Sequence, residues 1–472
     1  MFRMLCITAV LFLNGVLALA TTPTLSDEEM GYVSKAHRSD KNGWIFLHVE
    51  GDPYERGFQR GYLTAGEIDQ ARATVAHSGW YEYGRELNFW VKAADNLFKN
   101  KVSDEYVQEM RGMADGATKA GKPISYDEIL LLNGFFDVFW YWWPIKKEQT
   151  DKMVKPEGGC SAFIATGGMT ADGKIVMAHN SWFGYQFGRS GNIIIDLVPR
   201  SGHRILMQSW GPSIYSMSDF FITDAGLVGT ETTISNFKGF DSTGTPVFER
   251  ARRAMQYAGS IDEWAKIMID SNNGGYANSW LLGDINTNEI ARLELGLKHH
   301  KLERKTDGYF SGSNIAANIE LLRDETTAPL DDIRNGIVTR RIRWDQLMKL
   351  YAGKISADVA KKMLADHYDT FLQNNSPSFR TLCGHGESDN GYFPALPSST
   401  IPYYPGGAYD GKVVTSELAR SMRLWAKWGH PCGVEFIAGT FLEQHPQFDY
   451  LKGLLPDLKS HAWTIFPDAM GK

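Results

Sequence analysis

A charged tether that ends in two glycines runs straight into an apolar run at Cys160, and this junction constrains the chain more than any other feature. Residues 146–159 read Lys-Lys-Glu-Gln-Thr-Asp-Lys-Met-Val-Lys-Pro-Glu-Gly-Gly, the composition of an exposed linker and hence of a cleavable one. Cys160 to Thr166 follows as a short strand-like run. Asp172-Gly173 is a hairpin-turn dipeptide, and Lys174 to Ala178 is the returning run.

A strand-initial thiol behind a glycine supports a specific chemistry. If the thiol attacks the Gly159 carbonyl, the peptide bond becomes a thioester that water hydrolyses, and Cys160 becomes a chain terminus with a free α-amine. That amine has an ordinary pKa of about 7.7–8.0 and can serve as the general base for its own thiol. Gly159 suits the step because it tolerates a strained backbone and leaves the carbonyl unshielded. His179, on the returning run, is the histidine nearest in sequence. The plain alternative is an inert cysteine that opens a core strand.

The first twenty residues bear on the compartment. Arg3 precedes an apolar stretch from Leu5 to Leu19, and Ala18-Leu19-Ala20 offers the small residues that a signal peptidase reads. The stretch falls short of the roughly 20 residues that span a bilayer, so a cleavable signal is expected and a transmembrane anchor is not. Loss of residues 1–20 removes Cys6 and leaves Cys160, Cys383 and Cys432, an odd count. A Cys383–Cys432 bridge is the economical pairing and would leave Cys160 free. Lys and Arg total 49 against 55 Asp and Glu, with no basic block, so nucleic acid and anionic lipid surfaces are not expected partners.

The expected organisation is a signal peptide over 1–20, a mostly helical segment over 21–145, the linker over 146–159, and a catalytic domain over 160–472. Helical spacing of apolar residues runs over Tyr54–Ala71, Tyr106–Ala120 and Ile129–Trp143, with Asp127 placed to cap the last. The aromatic patch from Phe135 to Trp143 reads as a buried helix face or a pocket wall rather than a lipid-contacting surface. Strand-like runs fall at Asn192–Val198, Arg204–Gln208, Phe220–Ile234 (two runs), Trp280–Gly283 and Glu289–Leu297. Helices are expected over Val247–Asp270, Asp331–Phe371 and Ser416–Trp428. Strands bracketed by helices indicate a layered α+β domain.

Six stretches, in order along the chain, resemble the phospholipase B-like family. They are Arg60 to Ala65, Gly158-Gly159-Cys160-Ser161-Ala162-Phe163-Ile164, Ala178-His179-Asn180-Ser181-Trp182, Gly226 to Ile234, Asn272 to Trp280, and Gly406 to Ser416. The resemblance implies the four-layer αββα sandwich of N-terminal-nucleophile hydrolases, a group that includes bile-salt hydrolases and penicillin acyltransferases. It also implies autoproteolysis between Gly159 and Cys160, with the N-terminal fragment staying bound to the C-terminal one. On the same basis Cys160 is the nucleophile, Asn314 an oxyanion donor, and Arg340 the residue that orders the nucleophile's surroundings. Thr233, or Thr232 beside it, falls at an oxyanion position, His179 falls in a matching stretch as a catalytic residue, and Trp182, Asn272 and Asn278 fall in matching stretches as substrate-binding residues. Bile-salt hydrolases carry Arg and Asp where this chain has His179 and Trp182, so their charge arrangement does not transfer.

Taken singly, each of these residues has an ordinary reading: a turn asparagine, a solvated basic helix face around Arg340, a core histidine. His385 in Gly384-His385-Gly386-Glu387 and the pair His299-His300 show no ligand partners at a known spacing, so neither a metal nor another cofactor is expected. The expected function is hydrolysis of acyl ester or amide bonds, with phospholipids losing fatty acyl chains as the family-implied substrate. An N-acyl amide or peptide amidase of the same mechanism, or a catalytically weak lipid-binding protein, are the alternatives. The family resemblance points to a secreted or lysosomal location.

Overall fold

The computed structural model describes residues 24–146, 160–217, 220–328, 330–391 and 401–468. The expected signal peptide, Gly159 and all of the linker but Lys146 lie outside the described residues.

Two large sheets face each other. One has nine strands in the order His37–Lys41, Trp44–Gly51, Ile193–Pro199, Ile205–Ser209, Phe220–Thr223, Leu227–Thr233, Asn278–Asp284, Glu289–Leu295, His300–Lys305. The other has six, in the order Gly308–Gly312, Ser161–Thr166, Val176–Asn180, Asp410–Thr415, Leu424–Trp428, Thr464–Phe466. Strand alternation explains the layering. Ala162 and Ile164 point between the sheets, into a core with Met177, Leu206, Phe220, Val228 and Leu281. Phe163 and Ala165 point the other way, against Trp344, Leu347, Met348 and Met363 of the helices Gly336–Leu350 and Ala357–Leu364. On the far side of the larger sheet, Trp264 of the helix Ile261–Ile269 packs edge-on to Trp280 and stacks on Phe221. The chain is a four-layer αββα sandwich.

The segment before the linker, expected to be mostly helical, also supplies the first two strands of the larger sheet. Trp44–Gly51 pairs in parallel with Ile193–Pro199 through seven register pairs, Ile45↔Ile193 to Gly51↔Pro199. Its near-continuous buried run carries neither helical nor alternating periodicity, which is why the pattern passes unread. One hydrophobic core joins the segment's helices to this sheet. The helices Pro53–Leu63 and Asp104–Lys119 meet backbone to backbone: a Cβ on Gly57 would lie 1.9 Å from the Glu109 carbonyl oxygen, and one on Gly112 2.1 Å from that of Tyr54.

Other elements differ from expectation. Ser416–Trp428, read as one helix, is helical only over Ser416–Arg420. Leu424–Trp428 is a strand paired on both sides, where sheet pairing overrides an ambiguous apolar run. Val247–Asp270 divides into Val247–Tyr257 and Ile261–Ile269, with Ser260 capping the second. Ser125, not Asp127, caps the helix Tyr126–Phe136. Most of the aromatic patch is buried, Phe135, Phe136, Phe139, Tyr141 and Trp143 among it, and Asp137–Trp142 forms a π-helical turn. No helix among the described residues is long and apolar enough to cross a membrane.

Candidate active site

Cys160 stands at the head of Ser161–Thr166, 8% exposed. The outer helix Gly336–Leu350 brings Arg340 over it from across the six-stranded sheet. The Arg340 guanidinium donates to the Cys160 carbonyl oxygen at 2.7 Å, to Ser161 Oγ at 3.2 Å and to Asn314 Oδ1 at 2.9 Å. It also lies 4.4 Å above the Trp182 ring, which is buried. Arg340 is therefore no solvated surface charge. It is an interior fork of the kind a planar guanidinium makes and an ammonium does not.

Asn314 follows the strand Gly308–Gly312 with φ +69°, a left-handed conformation that asparagine tolerates better than most residues. Its Oδ1 is held by Arg340, and its Nδ2 donates to the Thr233 carbonyl oxygen at 2.7 Å. With one end fixed by a cation and one N–H by a carbonyl, the amide cannot flip, and its second N–H has a set direction. Thr232 packs against Gly312, where an added Cβ would meet its Oγ1 at 2.3 Å. Thr233 pairs in register with Asn278, so these two share a face and Thr232 takes the other. The Thr232 hydroxyl and both amide atoms of Asn278 are buried with no hydrogen-bond partner among the described residues. Such atoms also occur away from this site, Trp44 Nε1 and Trp264 Nε1 among them, so here they are polar groups without a protein partner and nothing more. Asn272, expected beside substrate, has its amide engaged in the scaffold: it donates to the Gly296 carbonyl of the loop after Glu289–Leu295 and accepts from the Gly274 N–H of its own loop.

His179 is fully buried, opposite Ala162 on one side and Lys412 on the other. A ring nitrogen of His179, Cys160 Sγ and a carboxylate oxygen of Glu231 all lie within 4.8 Å of one another. Burial, with the Lys412 ammonium adding to it, holds the imidazole well below its ordinary pKa, so His179 is neutral at neutral pH. Lys412 is itself fully buried and bonds Asp410 Oδ1 at 2.7 Å, Ser181 Oγ at 2.5 Å and Gln208 Oε1. Glu231 accepts from Tyr276 OH at 3.1 Å, and Tyr276 stacks on Phe136 with ring centroids 4.7 Å apart. Trp140 meets Phe183 edge-on at 5.3 Å. The aromatic patch thus forms a wall reaching the Glu231 corner.

Sequence reasoning brought Cys160, His179, Asn314, Thr232, Thr233, Asn278, Arg340 and Trp182 into play, and the fold gathers them. It missed Glu231, Tyr276, Asp410 and Lys412. No local signal marked them: Leu227–Thr233 reads Leu-Val-Gly-Thr-Glu-Thr-Thr and Asp410–Thr415 reads Asp-Gly-Lys-Val-Val-Thr, so a charge there looks like part of a polar strand until its burial is known.

The Phospholipase B family matches over residues 37–301. An uncharacterized protein of Archaeoglobus fulgidus is 28% identical over 269 residues, covering 55% of this chain and 44% of its own. Phospholipase-B 81 of Drysdalia coronoides is 24% identical over 442 residues, covering 80% of this chain and 76% of its own. Against the Archaeoglobus protein and bovine phospholipase B-like 1, the chain spans about half the relative's length. Among solved structures, a mutant of conjugated bile acid hydrolase from Clostridium perfringens aligns with a TM-score of 0.34 and 11% identity, over 57% of this chain and 89% of its own.

Proposed function

The chain belongs to the phospholipase B family, and from that premise we propose that it is a hydrolase of acyl ester or amide bonds whose nucleophile is Cys160, freed by self-cleavage after Gly159. The observation that carries this reading is the Arg340 fork. One buried cation holds the backbone of Cys160 and the amide of Asn314 in a single bonded unit, fixing nucleophile and oxyanion donor relative to each other.

The chemistry runs in two stages. In maturation, Cys160 Sγ attacks the Gly159 carbonyl carbon, the Cys160 nitrogen leaves as an amine, and water hydrolyses the resulting ester of the thiol. The thiol proton needs an acceptor before any amine exists, and the Glu231 carboxylate and the His179 ring are within reach. In turnover, the new α-amine takes the thiol proton and the thiolate attacks the substrate carbonyl. The Asn314 amide, with Thr232 or Asn278, receives the negative oxygen. The intermediate collapses by breaking the substrate's ester or amide bond, the leaving alcohol or amine takes the proton from the α-ammonium, and water then cleaves the thioester to release the acid and restore the thiol. His179 makes a poor permanent base because its site disfavours the imidazolium. In the acidic lumen that secretion or lysosomal delivery would imply, an amine of ordinary pKa is mostly protonated, so turnover there requires burial and the Arg340 cation to outweigh the nearby Glu231 carboxylate.

The aromatic wall of Phe136, Trp140, Phe183 and Tyr276 suits an acyl chain, and family membership favours fatty acyl groups of phospholipids. The test is to incubate the matured protein with phosphatidylcholine, a lysophospholipid and an N-acyl amide, and to quantify released fatty acid. Release by wild type but not by Cys160→Ala supports the reading. Tight lipid retention without release, by a chain that has matured, favours the lipid-binding alternative.

A further inference from the structure

Behind Trp182, away from Cys160, four side chains from three separated segments converge. His367 follows the helix Ala357–Leu364, Cys383 and His385 lie on the loop before Gly386–Ser388, and Cys432 lies on the loop after Leu424–Trp428. One donor atom from each lies within 4.8 Å of the other three. We propose that His367, Cys383, His385 and Cys432 form a structural zinc site.

The distances fit. A tetrahedral zinc with nitrogen at about 2.0–2.1 Å and sulfur at about 2.3 Å sets ligand edges of about 3.3 Å between nitrogens and about 3.5 Å between nitrogen and sulfur. Here His367 Nε2 is 3.2 Å from His385 Nε2, and both Cys383 Sγ and Cys432 Sγ are 3.4 Å from that same atom. His385 Nδ1 lies 2.8 Å from Glu387 Oε1; a proton there leaves Nε2 a single lone pair, facing three neighbours. A cation shared by all four satisfies them together. Glu387 is in turn bonded by Tyr185 OH at 2.6 Å, so the carboxylate that fixes the His385 tautomer is itself fixed, the usual arrangement behind a metal-bound imidazole. The Val434 N–H points at Cys432 Sγ at 3.4 Å, which favours a thiolate.

Zinc would displace one proton from each thiol, and two thiolates with Zn²⁺ make a neutral unit, with Cys383 and His385 buried and His367 and Cys432 half-buried. All four positions are protein ligands, so the site leaves no coordination place for substrate. Its role follows from its neighbours. Cys383 packs on Trp182, and a Cβ on Gly384 would lie 2.2 Å from the Trp182 ring that supports Arg340. The ion would tie the loops at 365–391 and 429–433 to the wall of the site. Local spacing could not reveal it, because the partners of Cys-x-His lie 16 residues before Cys383 and 47 residues after His385.

The experiment uses the full chain. Zinc content is measured after desalting, and chelator-treated protein is then titrated with cobalt chloride and followed by absorbance. One zinc per chain and the visible bands of tetrahedral thiolate–imidazole cobalt are expected. Cys160→Ala should retain both, and His367→Ala and Cys383→Ser should lose both. Glu387→Gln should weaken zinc affinity about 10- to 100-fold. Absence of metal and of cobalt bands in wild type, or a Cys383–Cys432 disulfide in a non-reducing peptide map, overturns the proposal whatever the variants do.

Discussion

Replacing Arg340 with methionine keeps the length of the stem and removes the fork. Three charge-assisted bonds to other elements are lost, to the Cys160 carbonyl, Ser161 Oγ and Asn314 Oδ1, each worth about 1.5–3 kcal/mol. The desolvation of a buried guanidinium is relieved at the same time, so the net loss of stability should be about 3–5 kcal/mol, as when one member of a buried charged cluster is removed. Arg340→Lys should fall between, because an ammonium cannot reach all three acceptors in fixed directions. The catalytic effect is separable. Asn314 loses the partner that orients its amide, and removing one oxyanion donor costs about 100- to 1,000-fold in rate. Stability is read by urea denaturation and maturation by the rate at which two fragments appear in folded, gel-filtered protein. Asn314→Ala is the comparator: it should slow maturation by a similar factor with a smaller stability loss. If Arg340→Met folds and matures at the wild-type rate, the positioning argument is wrong.

Other consequences are independent of that one. Asp137 is fully buried, and burial raises its pKa from 3.8 to about 6, so its contribution to stability is present below pH 3.8 and lost as pH rises through 6. Asp137→Asn should therefore stabilise the chain by about 3 kcal/mol at pH 7.5 and by almost nothing at pH 4, measured by denaturation at both. Lys412→Met leaves the Asp410 carboxylate unpaired in a fully buried site and should cost about 3–5 kcal/mol, much of it recovered when Asp410→Leu is added. Gly312→Ala drives a methyl into Thr232 and should destabilise by about 1–3 kcal/mol while slowing maturation. After cleavage the fragments should elute together on gel filtration and part only in denaturant, because Trp44–Gly51 is a strand inside the sheet built mostly by the C-terminal part.

The parts of this molecule that were legible in sequence are those that local periodicity encodes. Ser161–Thr166 and Val176–Asn180 were visible as a hairpin around Asp172-Gly173, and Cys160 stood out because a polar, glycine-ending stretch precedes it. What stayed hidden depends on partners distant in the chain. Trp44–Gly51 becomes a strand because Ile193–Pro199 lies beside it, and Leu424–Trp428 because Asp410–Thr415 and Thr464–Phe466 flank it. Arg340 looked like a surface charge among Arg334, Arg341 and Arg343 until the helix was docked on the sheet. Glu231 and Lys412 lay inside recognised motifs without standing out, since a buried charge declares itself only when its burial is known. The four converging ligands near Cys383 come from loops, where no period exists to read.

The most direct test of the account is N-terminal sequencing of the mature protein, with Cys160→Ala beside it. Wild type should yield a fragment that begins at Cys160, and the variant should remain uncut under the same conditions. An active wild-type protein that remains one intact chain, or a Cys160→Ala chain cut at the same bond, would contradict it.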